Sequence, residues 1–256
     1  MSNTEAIDTL RERFPWPTER PDAPTTEWGW GVEGEYLLQQ RLPADATVIL
    51  EVGSLVGGSA RFFAKHWPDA HLVCVDPWID TDDPASRPFL EHVPELTSAV
   101  LGVTDGIYNV FRSSLWDLRD RLTPVRGFSP DRLVDVHHAG VQPDIVYIDG
   151  SHVYEDVLAD VMCSAALFPN AVLCGDDWNW PGVHHAVNYV AVNRGGTIHR
   201  AGNTWIMDLS NTDGGRRGAP SARTTEAADR SLPVRALQTL QRTALIDTKV
   251  RDHWGR

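Results

Sequence analysis

Two short stretches of the sequence place acidic side chains, one with an imidazole, directly after an apolar run. Ile145–Ile148 leads into Asp149–His152, and Ala171–Cys174 leads into Gly175–Asp177. Apolar runs of this length are typical of strands buried in a parallel sheet, and such sheets bind ligands at the carboxyl ends of their strands. Two adjacent strand ends would therefore aim several carboxylates at one place. The alternative for Asp149 is a purely structural one, in which it caps the following helix.

Crowded carboxylates predict a cation at this place. The acidic residues concerned are Asp149, Asp176 and Asp177. Like charges held close together are costly unless an opposite charge neutralises them. Oxygen ligands of this kind suit a hard divalent ion, and the pattern therefore predicts an Mg²⁺ site.

A second group of polar residues surrounds a glycine-containing loop near the start of the chain. Thr47–Leu50 predicts a strand that runs into Glu51 and Gly53, and Ser59 stands at the start of the next predicted helix. The spacing of the glycines does not match the G-x-G-x-x-G pattern of dinucleotide-binding proteins. An acid, a close-approach glycine and a helix N-terminus instead fit an amino acid, whose ammonium Glu51 can hold.

The following strand adds a site for ribose. His71–Val75 predicts a second strand, and it ends in Asp76, whose carboxylate can accept hydrogen bonds from two ribose hydroxyls. An amino acid joined to a nucleoside fits the whole set of residues. S-adenosylmethionine is such a ligand.

The order of predicted elements indicates an α/β fold. We predict a Rossmann-like doubly wound sheet of about seven strands, mostly parallel with a C-terminal antiparallel hairpin, with helices on both faces. Tyr108–Phe111 is predicted as the third strand, with Ser113 and Ser114 after its end, and residues 116–122 as a helix. The hairpin is expected at residues 197–200 and 204–209, around a Gly-Asn turn.

The expected domain organisation has one catalytic domain with additions at both ends. Residues 1–44 form an N-terminal arm and helix, residues 45–209 the main domain, residues 210–225 a flexible linker and residues 226–256 a helical tail. Residues 79–107 interrupt the regular alternation of elements and are expected either to form a lid or to be a solvated excursion. The tail could dock on the domain, pair two subunits into a homo-oligomer, or stay partly disordered.

Composition excludes several classes of protein. The net charge of −12 is unfavourable for binding nucleic acid, which needs basic patches. No apolar run approaches the length of a membrane span, and the N-terminus does not have the pattern of a signal peptide. The three cysteines fall inside apolar segments, which is typical of core residues in a reducing, cytoplasmic compartment.

Taken together, these motifs resemble class I S-adenosylmethionine-dependent methyltransferases. They are most similar to the metal-dependent small-molecule O-methyltransferases, and above all to the sugar O-methyltransferases of macrolide and other natural-product pathways. The resemblance extends over about residues 45–209. It implies that Asp149, Asp176 and Asp177 bind Mg²⁺ and that His152, three residues after the first ligand, is the general base. It also implies cofactor contacts from Glu51, Gly53, Ser59, Asp76 and Ser113 or Ser114.

The expected function is therefore Mg²⁺-dependent methylation of a hydroxyl on a small molecule, in particular a glycosylated one. The metal would acidify the hydroxyl, and the imidazole would take its proton. Four tryptophans flank the proposed site in sequence order, and their rings suit either a sugar or the protein core: Trp28, Trp30, Trp178 and Trp180. Three alternatives remain open: a nicotinamide-dependent oxidoreductase, a hydroxylase of a biosynthetic cluster, and a non-catalytic binding protein with this fold.

Overall fold

The computed structural model describes residues 1–26, 32–79, 97, 100 and 103–209, and the element labels used below apply to these residues. Within them, the strands are β1 (Val48–Val52), β2 (His71–Asp76), β3 (Leu122–Arg126), β4 (Ile145–Ile148), β5 (Val172–Gly175), β6 (Thr197–Ala201) and β7 (Thr204–Asp208). The helices are α1 (Asn3–Arg13), α2 (Glu35–Arg41), α3 (Gly58–His66), α4 (Gly106–Ser114), α5 (Asp131–His138), α6 (Tyr154–Leu167) and α7 (Pro181–Arg194), with a 3₁₀-helix at Trp116–Arg121.

All of these strands belong to one sheet with the order β3-β2-β1-β4-β5-β7-β6. Strands β1 to β5 pair in parallel, whereas β7 runs antiparallel to both β5 and β6. The chain moves outward from β1 to β3 and then returns to β4, so the direction of winding reverses between β1 and β4. Ligands of doubly wound sheets bind at such a reversal. The predicted Rossmann-like fold is confirmed, and it places Glu51 and Asp149 on the two strands that meet there.

The alternation of side chains along the strands builds a core on each face of the sheet. Leu50 faces a core that includes Val161 of α6, whereas its neighbour Ile49 faces the opposite core, with Phe63 of α3. On that second face, Phe63 packs edge to face against Tyr147 of β4, with ring centroids 5.0 Å apart. Because the strands are covered on both faces, they are apolar at almost every position, which is why their sequence signal was strong.

The third strand is not where the sequence pattern put it. Residues 108–111, which were predicted as a strand, lie in α4, where Tyr108 stacks on Trp78 with ring centroids 4.7 Å apart and Phe111 lies 4.6 Å from the same ring. A three-residue spacing brings these two rings to one face of a helix, whereas in a strand they would point to opposite faces.

The third strand of the sheet, β3, begins at Leu122, which is the last residue of the helix predicted over residues 116–122. Among the described strands its only neighbour is β2, and it therefore forms an edge of the described sheet. Pro124 interrupts its apolar pattern and cannot donate a ladder hydrogen bond, which an edge strand tolerates. The prediction failed because a short edge strand with a proline lacks the continuous apolar run that marked the central strands.

Several predicted features lie outside the described residues. These are most of the proposed lid at 79–107, the linker at 210–225, the tail at 226–256, and Trp28 and Trp30. Within the described part, none of the helices is both long enough and apolar enough to cross a membrane.

Helix α6 carries a buried carboxyl group that affects stability. Asp160 is only 3% exposed, and burial, with a smaller contribution from the charge of Asp156, raises its pKa from 3.8 to about 7 despite a hydrogen bond from Ser129. The folded state therefore favours protonated Asp160. Its contribution to stability is complete below about pH 4, falls as the pH rises toward 7, and then levels off.

We predict that Asp160→Asn will remove this pH dependence. The neutral amide has nearly the same shape and carries no charge to desolvate, so the variant should be more stable than the wild type at pH 8. The advantage should be on the order of 2–4 kcal/mol and should shrink toward pH 4. Urea unfolding followed by tryptophan fluorescence at several pH values measures it. The exposed Asp120→Asn serves as the matched control, and an equal pH profile for the wild type and Asp160→Asn would contradict the prediction.

Candidate active site

The parallel register of β4 and β5 brings the predicted acidic residues to one edge of the sheet. Ile148 is paired with Gly175, so Asp149 and Asp176 follow at adjacent strand ends. Asp177 adopts a left-handed backbone conformation, with φ of 62°. In this turn its carboxyl group comes within hydrogen-bonding reach of that of Asp149. Two acids from separate sequence motifs are thereby in direct contact.

The crowding of these carboxyl groups affects the pKa values of Asp149 and Asp176. Burial and then the charges of Asp177 and Asp176 raise the pKa of Asp149 well above its usual value. Burial also raises the pKa of Asp176, and the charge of Asp177 adds to this, although a backbone N–H opposes it. The site therefore favours a shared proton or a bound cation over three free negative charges.

His152 is joined to the acidic group by a short hydrogen bond. Its Nε2 lies 2.6 Å from Oδ2 of Asp177, and the two side chains are 40% and 24% exposed. When the imidazole is neutral and Nε2–H donates to this carboxylate, Nδ1 becomes the basic nitrogen. The sequence had predicted separate roles for the two residues, with Asp177 as a metal ligand and His152 as a base. The structure instead joins the two residues, because the carboxyl group of Asp177 hydrogen-bonds to the imidazole and orients it.

The three carboxyl groups fit the expected magnesium ion in their chemistry but not in their present arrangement. The donor chemistry fits, because three carboxyl groups lie at one edge of the sheet and the pKa values of two of them, Asp149 and Asp176, are raised. However, the part of the chain that the structure describes contains no group of three or more His, Cys, Asp or Glu side chains arranged to hold a metal. Asp177 is turned to His152, and Asp176 accepts a hydrogen bond from a threonine. Magnesium binding by Asp149, Asp176 and Asp177 stays a prediction.

The threonine that contacts Asp176 was not anticipated from the sequence. Thr204 is fully buried at the start of β7, and its Oγ1 accepts a hydrogen bond from the N–H of Gly34 at 3.0 Å and donates to Oδ1 of Asp176 at 3.3 Å. A Cβ on Gly34 would lie 2.4 Å from the Thr204 side chain, so this approach requires glycine. These partners are 28 and 170 residues away from Thr204, and no local pattern could reveal the contact.

Glu51 offers an incompletely satisfied acceptor on the other side of the strand reversal. It is 2% exposed, Ser54 donates to its Oε2, and the side chains of Ser59 and Cys74 are polar neighbours that lower the pKa of the carboxyl group. Its Oε1 is buried and has no hydrogen-bond partner among the described residues. Burial raises the pKa of Glu51. A bound ammonium group would both satisfy this oxygen and stabilise its negative charge.

Asp76 is already oriented by the backbone. Its two oxygens accept hydrogen bonds from the N–H groups of Leu55 at 2.9 Å and Trp78 at 2.6 Å. Burial raises its pKa, and these N–H groups act in the opposite direction. Each carboxylate oxygen has a second lone pair, so the group can still accept from hydroxyls.

Gly53 permits the close approach of a neighbouring loop of the protein, whereas the sequence suggested the close approach of a ligand. Its φ is +88°, and a Cβ there would lie 2.1 Å from the backbone oxygen of Asp149. The space left by the missing side chain is therefore filled by the loop that carries Asp149. Gly53 holds the ends of β1 and β4 together, whatever it contributes to cofactor binding.

The basis for selecting Ser113 was wrong. Ser113 does not follow a strand but lies in α4, where its hydroxyl accepts from Nε of Arg20 at 3.2 Å and donates to the carbonyl of Ala23 at 3.0 Å. The hydroxyl of Ser113 thus makes its hydrogen bonds with the N-terminal arm. The residues that do follow the third strand are Gly127 and Phe128, and Phe128 is 57% exposed. The glycine after Val125 and Arg126 was the available signal for that strand end.

We predict that Thr204→Val will destabilise the protein by about 1–3 kcal/mol, because it leaves the buried N–H of Gly34 without an acceptor. Thr204→Ser keeps the hydroxyl and is the matched control, which should lose less stability. Urea unfolding of both variants measures the difference. Equal stabilities of the valine and serine variants would show that the hydroxyl contacts are not important.

Comparison with known proteins identifies the family of this chain. A family model described as "Methyltransferase domain" matches residues 50–178, which is half of the chain and includes both acidic motifs. No curated protein matches the sequence.

Solved structures with a similar fold include three methyltransferases of low identity. A TDP-rhamnose 3′-O-methyltransferase of calicheamicin biosynthesis is 16% identical, with 69% of this chain and 76% of that chain covered and a TM-score of 0.42. A precorrin-6y C5,15-methyltransferase from Geobacter metallireducens is 12% identical (77% and 93% covered, TM-score 0.48). A Podospora anserina methyltransferase bound to S-adenosylhomocysteine is 13% identical (80% and 86% covered, TM-score 0.47). The family match confirms the resemblance found in the sequence: this chain belongs to the class I S-adenosylmethionine-dependent methyltransferases.

Proposed function

We propose that this protein is an O-methyltransferase that acts on a hydroxyl of a small molecule, specifically a sugar unit of a glycosylated compound. The observation that carries the proposal is the hydrogen-bonded pair of His152 and Asp177 in contact with Asp149. The pair stands at the end of β4, beside the strand that carries Glu51. A base that is oriented by a carboxylate and lies next to a cofactor site is what methylation of a weakly acidic hydroxyl requires.

Each residue of the pair has a definite part in the proposed reaction. Nδ1 of His152 accepts the proton of the acceptor hydroxyl while the new oxygen–carbon bond forms and the carbon–sulfur bond breaks. Asp177 stabilises the imidazolium that results, through the 2.6 Å hydrogen bond to Nε2. S-adenosylmethionine supplies the activated methyl group and leaves as neutral S-adenosylhomocysteine. The protein has mainly to align acceptor oxygen, methyl carbon and sulfur.

The cofactor is held, in this proposal, by groups that the fold already presents. The unpartnered oxygen of Glu51 receives the ammonium group, and Asp76 receives the ribose hydroxyls. Both carboxyls are raised in pKa by burial. A ligand that donates several hydrogen bonds, one from a cationic group, therefore favours their charged forms.

We further propose that Mg²⁺ binds at Asp149, Asp176 and Asp177. The support is the burial of Asp149 beside the charges of Asp177 and Asp176, which together raise its pKa and which a cation would offset. When bound, the ion would lower the pKa of an acceptor hydroxyl and so help His152 to remove the proton.

The first prediction of this proposal concerns cofactor binding. S-adenosylhomocysteine should bind at micromolar strength by calorimetry, and NAD should show no comparable binding. Asp76→Ala should weaken the binding by roughly 1–3 kcal/mol, the scale for losing hydrogen bonds to a charged acceptor. Asp120→Ala removes an exposed carboxylate and should leave the affinity unchanged. A preference for NAD would rule out the methyltransferase reaction.

The second prediction separates the base from the metal. With methyl-labelled cofactor and a panel of glycosides, His152→Ala should keep the affinity for S-adenosylhomocysteine but lower kcat by about 10²–10⁴-fold. Its residual rate should rise with pH as hydroxide replaces the imidazole. Full activity of this variant would show that another group is the base.

Chelation tests the metal independently. A chelator should abolish methyl transfer by the wild type, and added Mg²⁺ should restore it, whereas Asp176→Asn should lose the response to Mg²⁺ together with nearly all activity. If chelation changes nothing, the carboxylates do not hold a catalytic metal, and only the part of the proposal that involves His152 and Asp177 survives.

A further inference from the structure

Trp180 stands directly against the proposed base. Its indole ring stacks on the imidazole of His152, with ring centroids 4.6 Å apart and an angle of 18° between the planes. The residue is nevertheless 52% exposed. One face of the indole therefore contacts the imidazole, while a large part of the side chain remains accessible to a ligand.

The position of Trp180 is set by the backbone around it. Its N–H donates to the carbonyl of Asp177 at 2.9 Å, and Pro181 follows at the first position of α7. A Cβ on Gly182 would lie 2.1 Å from the backbone oxygen of His152, so the close packing of α7 against the His152 loop requires glycine. The indole is held beside the imidazole by the same short turn that carries Asp177, which means that a ligand would meet a ring already in place.

The stacked geometry determines where an acceptor must lie. A hydroxyl that hydrogen-bonds to an imidazole nitrogen lies about 3 Å from it and close to the plane of the ring. Because the bicyclic indole is larger than the imidazole on which it stacks, part of its face extends past the imidazole edge. An acceptor in the plane of the imidazole can then rest on that overhanging part. Val153, the residue after His152, also has an exposed apolar side chain (56% exposed).

The chemistry of these surfaces selects the type of acceptor ring. The face of an indole is electron-rich and attracts C–H groups that neighbouring oxygens have polarised. Further hydroxyls of the acceptor can hydrogen-bond to those carboxyl oxygens of Asp149, Asp176 and Asp177 that the proposed Mg²⁺ does not occupy. A ring with one C–H-bearing face and several hydroxyls at its edge meets both requirements, and a pyranose is such a ring.

We propose that Trp180, with Val153, forms the acceptor subsite and that it binds the C–H face of a pyranose whose edge hydroxyl reaches His152. This inference rests on the proposed O-methyltransferase function and specifies the substrate surface of the same site. It makes Trp180 a specificity-determining residue, because the indole binds the ring that the reaction modifies.

The test compares Trp180→Leu and Trp180→Phe with the wild type. Initial rates are measured with methyl-labelled S-adenosylmethionine over a panel of methyl pyranosides and planar phenols, and S-adenosylhomocysteine affinity is measured by calorimetry. Trp180→Leu loses the flat aromatic face and should raise the KM for pyranosides by about 3- to 10-fold, with unchanged cofactor affinity. Trp180→Phe keeps a flat ring and should retain most of the affinity. Val192→Ala removes another exposed apolar side chain of α7 (77% exposed) and should have no effect.

The outcomes distinguish failure of this inference from failure of the proposed function. Methyl transfer to pyranosides with a KM that Trp180→Leu does not change would overturn the acceptor subsite and leave the O-methyltransferase proposal standing. A lower kcat with unchanged KM would overturn it too, because Trp180 would then act only on the imidazole. Faster transfer to phenols than to pyranosides would overturn the assignment of a sugar ring. A wild type that binds no S-adenosylhomocysteine and transfers no methyl group would overturn the proposed function itself.

Discussion

The close approach of the ends of β1, β4 and β5 is the constraint on which the site depends. Two glycines make it possible: a Cβ on Gly53 would lie 2.1 Å from the backbone oxygen of Asp149, and one on Gly175 would lie 2.2 Å from that of Ile148. Side chains at these positions would push the strand ends apart. With glycine there, the carboxyl groups that follow β4 and β5 come into contact with each other, and Glu51 is near enough for its charge to act on Asp149.

Such an approach concentrates negative charge, and the surrounding structure compensates for it by hydrogen bonding. His152 hydrogen-bonds to the carboxyl group of Asp177, and Thr204 hydrogen-bonds to that of Asp176. The antiparallel hairpin contributes again through Trp205, whose Nε1 donates to the backbone oxygen of Asp176 at 3.0 Å. The hairpin that closes the sheet is therefore also a support of the acidic motif, because β7 pairs directly with β5.

The N-terminal arm has a larger structural role than its irregular sequence indicates. Trp16 donates through Nε1 to the carbonyl of Leu122 at 2.7 Å, and Arg20 contacts both the hydroxyl and the carbonyl of Ser113. Further along, Gly34 binds Thr204 next to the site. The arm thus connects the edge strand, α4 and the acidic motif. It is held by hydrogen bonds to distant residues, and these leave no periodic signature in its own sequence.

The sequence by itself determined the central strands, the doubly wound fold and the positions of the acidic motifs along the chain. It could do so because strands buried on both faces are continuously apolar, and because a parallel sheet collects whatever follows them at one edge. It misplaced the third strand, since an edge strand interrupted by Pro124 lacks that pattern and an amphipathic helix at residues 106–114 contains short apolar runs of its own. Tertiary structure alone decided that Asp177 would hold His152, that Thr204 would hold Asp176 and that Trp180 would cover the imidazole. These are contacts of side chains whose separation along the chain carries no period, and only the packing of strands and turns in three dimensions brings them together.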